Sequence, residues 1–187
     1  MRKYAPTLAA LVLALTAAAP VHAQMMQNMT VVGGQDMSPS RNIIENAVNS
    51  ADHTTLVAAV KAAGLVETLE GAGPFTVFAP TNEAFAALPA GTVQTLLKPE
   101  NKPTLTKVLT YHVIAGNYTA AKLMDAIRAG HGSAQIATVQ GGKLTFRMNG
   151  ARNILVVDSK GNAASISTYD VVQSNGVIQV VDRVLMP

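Results

Sequence analysis

Four histidines, His22, His53, His112 and His131, are the side chains of this 187-residue chain best suited to proton transfer or metal binding near neutral pH, and there is no cysteine. His112 stands out because it follows Tyr111 at the end of a helical pattern and precedes the apolar pair Val113-Ile114. A histidine in that place can meet a partner, or it can hydrogen-bond backbone and hold a helix to a sheet, since buried polar groups are paired as a rule. None of the four lies in a His-Glu-x-x-His, so a zinc site would draw on carboxylates from distant segments. No Gly-x-Ser-x-Gly elbow offers an activated serine. Gly71 and Gly73 make a Gly-x-Gly, but Thr76 stands where a dinucleotide fingerprint needs glycine. Gly142-Lys143 is followed by Leu144 rather than the Ser or Thr of a phosphate loop. Each near-match fails at a residue its chemistry requires. The expectation is a protein that is not an enzyme, with no cofactor and no metal.

The elements that position these residues follow from periodicity. Ile43, Ile44, Ala47 and Val48 fall at helical spacing, and Leu56, Val57, Val60 and Ala63 repeat it, with Gly64 placed to stop the second helix. After the breaker Gly71-Ala72-Gly73-Pro74, Phe75 to Ala79 is a short β-favouring run closed by Pro80, which cannot donate to a ladder. Thr81 is an N-cap, Glu83 sits in the first helical turn, and Phe85 and Leu88 face inward. Capping and turn chemistry account for Thr81 and Asn82. Short helices over 92–97 and 104–111 follow, then one over 119–129 ended by Gly130 and Gly132. From there the period becomes two, and strands are expected at 135–139, 144–148, 154–158, 165–169, 171–173 and 177–181. Helices first and strands later describe an α+β domain, the early strand at Phe75 returning to join the later sheet.

The N-terminus sets the compartment. Arg2 and Lys3 precede an apolar run from Ala5 to Ala19, Pro20 and a small-residue end at Val21-His22-Ala23, the order of a secretory signal peptide cleaved after Ala23. The run is shorter than the ~20 residues of a bilayer span, so no transmembrane anchor is expected. Without Arg2 and Lys3 the basic count falls from 14 to 12 against 11 acidic residues, and the remaining Lys and Arg are scattered singly, which argues against nucleic acid as a partner. Residues 24–41, rich in Met, Gln, Asn and Gly, are expected to be a flexible N-terminal segment. The roughly 160 residues after Ala23 suit one domain able to fold without disulfides.

Three segments carry a resemblance. Gly73 to Phe85, Tyr111-His112 and Asn175 to Pro187 occur in the order and at the separations of the fasciclin-domain boxes, and the chain from 42 to 187 resembles a single fasciclin domain. The signature residues are Thr76, Phe78, Pro80, Thr81, Asn82, Phe85, Asn175, Gly176 and Asp182. The resemblance implies a β-wedge or sandwich of short strands flanked by several short helices. It also implies a secreted or periplasmic monomer that mediates adhesion or contacts a protein or cell-surface component, with Tyr111 and His112 as partner-binding candidates. Gln179 stands where members of that family often carry His, which removes a second titratable group. The alternative, which the aliphatic composition permits as it does an ordinary packed core, is an extracytoplasmic carrier of a small apolar ligand or lipid.

Overall fold

The computed structural model describes residues 29–187. The expected signal peptide and its cleavage after Ala23 lie outside the described residues. Thr30–Val32 and Gln35–Met37 form an antiparallel hairpin, β1 and β2. Gly33 and Gly34 join them, both at positive φ, which the tight turn demands and glycine takes without strain. Within the segment expected to be flexible, this hairpin is a departure. Val32 and Met37 are buried in the core, and strands of three residues leave too short an alternation for the pattern to show.

The helices then come in quick succession. α1 (Ile43–Ala47) opens with a capping box, in which the Asn42 side chain accepts from the Glu45 N–H at 2.9 Å and the Glu45 carboxylate accepts from the Asn42 N–H at 2.8 Å. A 3-10 turn at Ala51–His53 leads into α2 (Thr54–Ala63), which Gly64 stops in the left-handed conformation at φ 73°, and α3 (Val66–Glu70) follows. Strand β3 (Phe75–Pro80) precedes α4 (Asn82–Ala86), α5 (Thr92–Leu96), α6 (Lys102–Tyr111), β4 (Val113–Ala115) and α7 (Ala120–Ala129). Five strands finish the chain: β5 (Ser133–Ala137), β6 (Lys143–Asn149), β7 (Asn153–Val157), β8 (Ala163–Gln173) and β9 (Gly176–Val181).

Seven strands make one sheet in the order β4-β3-β9-β8-β7-β6-β5. β3 runs parallel to β9 with Phe75 opposite Gly176 and Pro80 opposite Val181, so the early strand does return to the late sheet, and the other pairings are antiparallel. β3 and β9 are buried on both faces, which is why they read as largely apolar runs, each broken by one polar residue, Thr76 and Gln179, rather than as alternating ones. Their alternate side chains feed two cores. Val77, Ala79, Ile178 and Val180 pack with α1 to α6, while Phe78 and Val181 pack with α7 and the inner face of β6 to β8. The expected strands at 165–169 and 171–173 are one strand, β8, interrupted by a register shift between Thr168 and Val171. Asp170 in that gap sits at φ 54°.

Candidate functional site

Tyr111 and His112 end α6 against the sheet, and they are 0% and 3% exposed. Their polar atoms, expected as candidates for a partner surface, are engaged inside the fold. Tyr111 Oη donates to the Lys143 carbonyl at 2.7 Å and accepts from the Ser159 N–H at 3.0 Å, tying the end of α6 to the start of β6 and to the β7–β8 turn. His112 Nδ1 lies 2.8 Å from the Val108 carbonyl and Nε2 lies 2.9 Å from the Leu185 backbone nitrogen. An amide nitrogen can only donate, so Nε2 accepts and Nδ1 carries the proton, giving one defined neutral tautomer. The Val108 carbonyl is open to the ring because the His112 backbone N–H pairs with Leu109 instead of closing the helical bond.

Electrostatics agree with that geometry. Burial drives the His112 pKa down to about 4, against the opposing pull of the Val108 carbonyl and the Asp158 charge. Burial pushes the Tyr111 phenol up. Asp158 completes the junction by accepting from the Met186 N–H at 3.1 Å, and from Lys160 and Asn162 within its own turn. Four separate segments therefore meet at Tyr111, His112 and Asp158, and the arrangement holds the C-terminal residues against α6. It leaves no ring nitrogen or phenol free for proton transfer.

The signature residues serve the same end. Thr76 donates to the Gly116 carbonyl at 2.6 Å and accepts from the Tyr118 N–H at 2.8 Å. Phe78 meets Phe146 with ring centroids 5.5 Å apart, and Phe85 fills the helical core. Pro80 closes β3, and Thr81 caps α4 by accepting from the Ala84 N–H at 3.2 Å. Asn82 does more than its expected turn role. It accepts from the Thr55 N–H at 3.0 Å and donates to the Ala51 carbonyl at 2.8 Å, supplying the cap that α2 lacks from its own sequence. Asn175 accepts from the Ile43 N–H and donates to the Leu69 and Gly71 carbonyls, joining α1, α3 and the β8–β9 turn. A Cβ at Gly176 would run into the Phe75 carbonyl, so the parallel pair can close only with glycine there. Asp182 accepts from the Ser165 N–H at 2.7 Å.

Gln179 is fully buried and occupies a polar node in the second core. Its amide donates to Asp170 Oδ1 at 2.7 Å and to the Tyr118 carbonyl at 3.2 Å, and its oxygen accepts from the Asp170 N–H at 3.1 Å. Asp170 in turn accepts from the Ala120 N–H at 2.8 Å, at the start of α7. A second group went unmarked in the sequence. Ser50 Oγ lies 2.8 Å from His53 Nδ1, both residues are buried, and His53 Nε2 has no hydrogen-bond partner among the described residues. The signal was only a Ser-x-x-His spacing across a 3-10 turn, which is indistinguishable from ordinary turn chemistry without the fold. Among the described residues no cluster of His, Asp or Glu is arranged to hold a metal ion, and no helix is long and apolar enough to cross a membrane.

A central parallel strand pair with α1 to α6 on one side, α7 and the antiparallel strands β6 to β8 on the other, and a buried Tyr-His lock defines an α+β wedge domain. A sequence model described as Fasciclin domain matches residues 51–187, and the chain belongs to the fasciclin-domain family. Protein sll1483 of Synechocystis is 47% identical over 161 residues, covering 86% of this chain and 82% of that protein. The cell surface glycolipoprotein MPB83 of Mycobacterium bovis is 42% identical over 123 residues, covering 66% of this chain and 48% of its own. The solved FAS1 domain pair of the insect cell adhesion molecule Fasciclin I superposes with a TM-score of 0.71 at 17% identity, over 80% of this chain and 52% of that one, a likeness of fold alone.

Proposed function

We propose that this chain works outside the cytoplasm, secreted or periplasmic, as a non-catalytic monomer that mediates adhesion or binds a protein or cell-surface component. The observation that supports this reading most directly is the internal use of Tyr111 and His112. With their polar atoms engaged in holding α6, β6 and the C-terminal segment together, contact with a partner falls to the exposed surface of the wedge. Family membership and the cell-surface and adhesion descriptions of its relatives point the same way.

Binding of the labelled domain to a cell-envelope or matrix fraction tests the reading, with unlabelled domain as competitor. Saturable binding that the unlabelled domain displaces is the expected result, and binding that never saturates overturns it. Tyr111→Phe, compared at a temperature where it is folded, retains that binding if the residue is internal. Loss of binding by a folded Tyr111→Phe would instead return the Tyr-His region to the partner surface.

A further inference from the structure

The seven-stranded sheet ends in β4 on one side and in β5 on the other. β4 is short, and its outer side is taken at Val113, whose carbonyl accepts from the Val139 N–H at 2.8 Å. β5 has β6 as its one neighbour, in an unbroken register from Ser133 opposite Arg147 to Ala137 opposite Lys143. Just past the strand end the Thr138 N–H donates to the Gly142 carbonyl at 2.8 Å, which fixes the alternation. Ala134 and Ile136 exchange hydrogen bonds with β6, and Ser133, Gln135 and Ala137 turn their backbone groups to the outer edge. The Ser133 N–H closes the preceding turn on the Gly130 carbonyl, while the N–H groups of Gln135 and Ala137 meet no partner among the described residues.

Proteins blunt such edges with charged side chains, proline or a bulge, and β5 has none of the three. Its half-buried Ala134 and Ile136 belong, with Met124 of α7, to the partly covered rim of the second core. On the opposite, exposed face Ser133 and Ala137 pair with Arg147 and Lys143, so only a small side chain stands between the edge and each cation. Neither cation is in an ion pair among the described residues, and the positions of β5, β6 and β7 on that face carry no Asp or Glu. A strand added beyond β5 would lie about 10 Å from β6, a gap that a long cation and a glutamate span together. A second copy laid on this edge would instead gather Lys143 and Arg147 of both chains on one face with nothing acidic between them, which disfavours self-pairing.

We propose that the free edge of β5 takes an extended segment of a partner protein as an eighth strand, its apolar side chains over Ala134 and Ile136 and its acidic ones toward Lys143 and Arg147. Main-chain hydrogen bonds to Gln135 and Ala137 supply the affinity, and the alternating side chains select the segment. This docking mode rests on the reading of the chain as a protein-binding module and gives that module its edge and the chemistry of its partner.

A short synthetic peptide of alternating valine and glutamate, titrated into the isotopically labelled chain, tests the proposal by NMR. Saturable shifts and slowed exchange at the Gln135 and Ala137 amides are expected, and a valine–lysine peptide should bind about tenfold more weakly. Gln135→Pro removes an N–H that bonds nothing within the fold, at a place where a sheet tolerates proline, and should abolish the shifts. The double variant Lys143→Glu, Arg147→Glu leaves the backbone untouched and should reverse the preference toward the valine–lysine peptide. Shifts without saturation, equal affinity for the two peptides, or binding that survives in folded Gln135→Pro overturns the proposal, as does a dimer of the native chain that Gln135→Pro dissolves. Saturable binding of the native chain to the cell-envelope fraction that is unchanged in Gln135→Pro overturns the edge while leaving the adhesion reading standing.

Discussion

Replacing His112 by leucine keeps the apolar contacts but leaves the Leu185 N–H and the Val108 carbonyl without partners inside the protein. Each orphaned group costs about 1–3 kcal/mol, so a loss on the order of 3 kcal/mol in urea unfolding at neutral pH is expected. Tyr111→Phe strands the Ser159 N–H and the Lys143 carbonyl in the same way, at about 2 kcal/mol. The histidine also sets a pH dependence. Its folded pKa of about 4 lies below the ordinary 6.5, so the unfolded chain takes up the proton first as pH falls. Its contribution is therefore whole above about pH 6.5, is lost progressively from there down to about pH 4, and amounts to roughly 3 kcal/mol at most. His53 shifts in the same direction and adds to the slope. Unfolding free energies measured across that window should fall steeply in the native chain and less steeply in His112→Leu. An identical slope in both would mean that other groups carry the acid sensitivity.

Between elements, the decisive contacts are made by side chains whose partners lie far away in sequence. Asn175 is the clearest case, with one oxygen serving the first N–H of α1 and one amide serving carbonyls at the end of α3. Asn175→Asp preserves size but turns an oxygen toward the Leu69 and Gly71 carbonyls, so it should destabilise more than Asn175→Ala, itself costing about 2 kcal/mol. Equal thermal midpoints for the two variants would show that the carbonyls find water instead. These long-range roles explain what the sequence could and could not tell. The Thr81 cap, the Gly64 stop and the double-buried strands at 75–79 and 177–181 were legible because each rests on local pattern or on a simple run of apolar residues. Asn82 looked like a turn residue because its cap is given to α2, in another segment. The bulge at Asp170 looked like a strand break for a related reason: the residue that justifies it, Gln179, lies on the neighbouring strand. The apolar cavity that His53 lines had no local trace at all, since its walls are gathered from α1, α2 and β9 only by folding.

At the scale of the whole molecule, the sheet divides the interior into two cores, to both of which β3, β4, β8, β9 and the end of α6 contribute side chains. The β1–β2 hairpin belongs to the first, through Val32 and Met37, and the turn after β8 ties into the same region through the Ser174 N–H on the Arg41 carbonyl. A chain beginning at Asn42 loses two buried apolar side chains, each worth about 1.5–3 kcal/mol, and so should be less stable by roughly 3 kcal/mol or more. Because the hairpin does not reach the second core, the loss should be uneven. Hydrogen exchange in the shortened chain is expected to quicken in α1, α2 and α3, which line the first core, while amides of β6 and β7 keep most of their protection. Uniformly faster exchange in both regions would show that the two cores open only together. In that case the hairpin, which precedes the matched family region, would be part of the cooperative unit that the fasciclin fold needs in this chain.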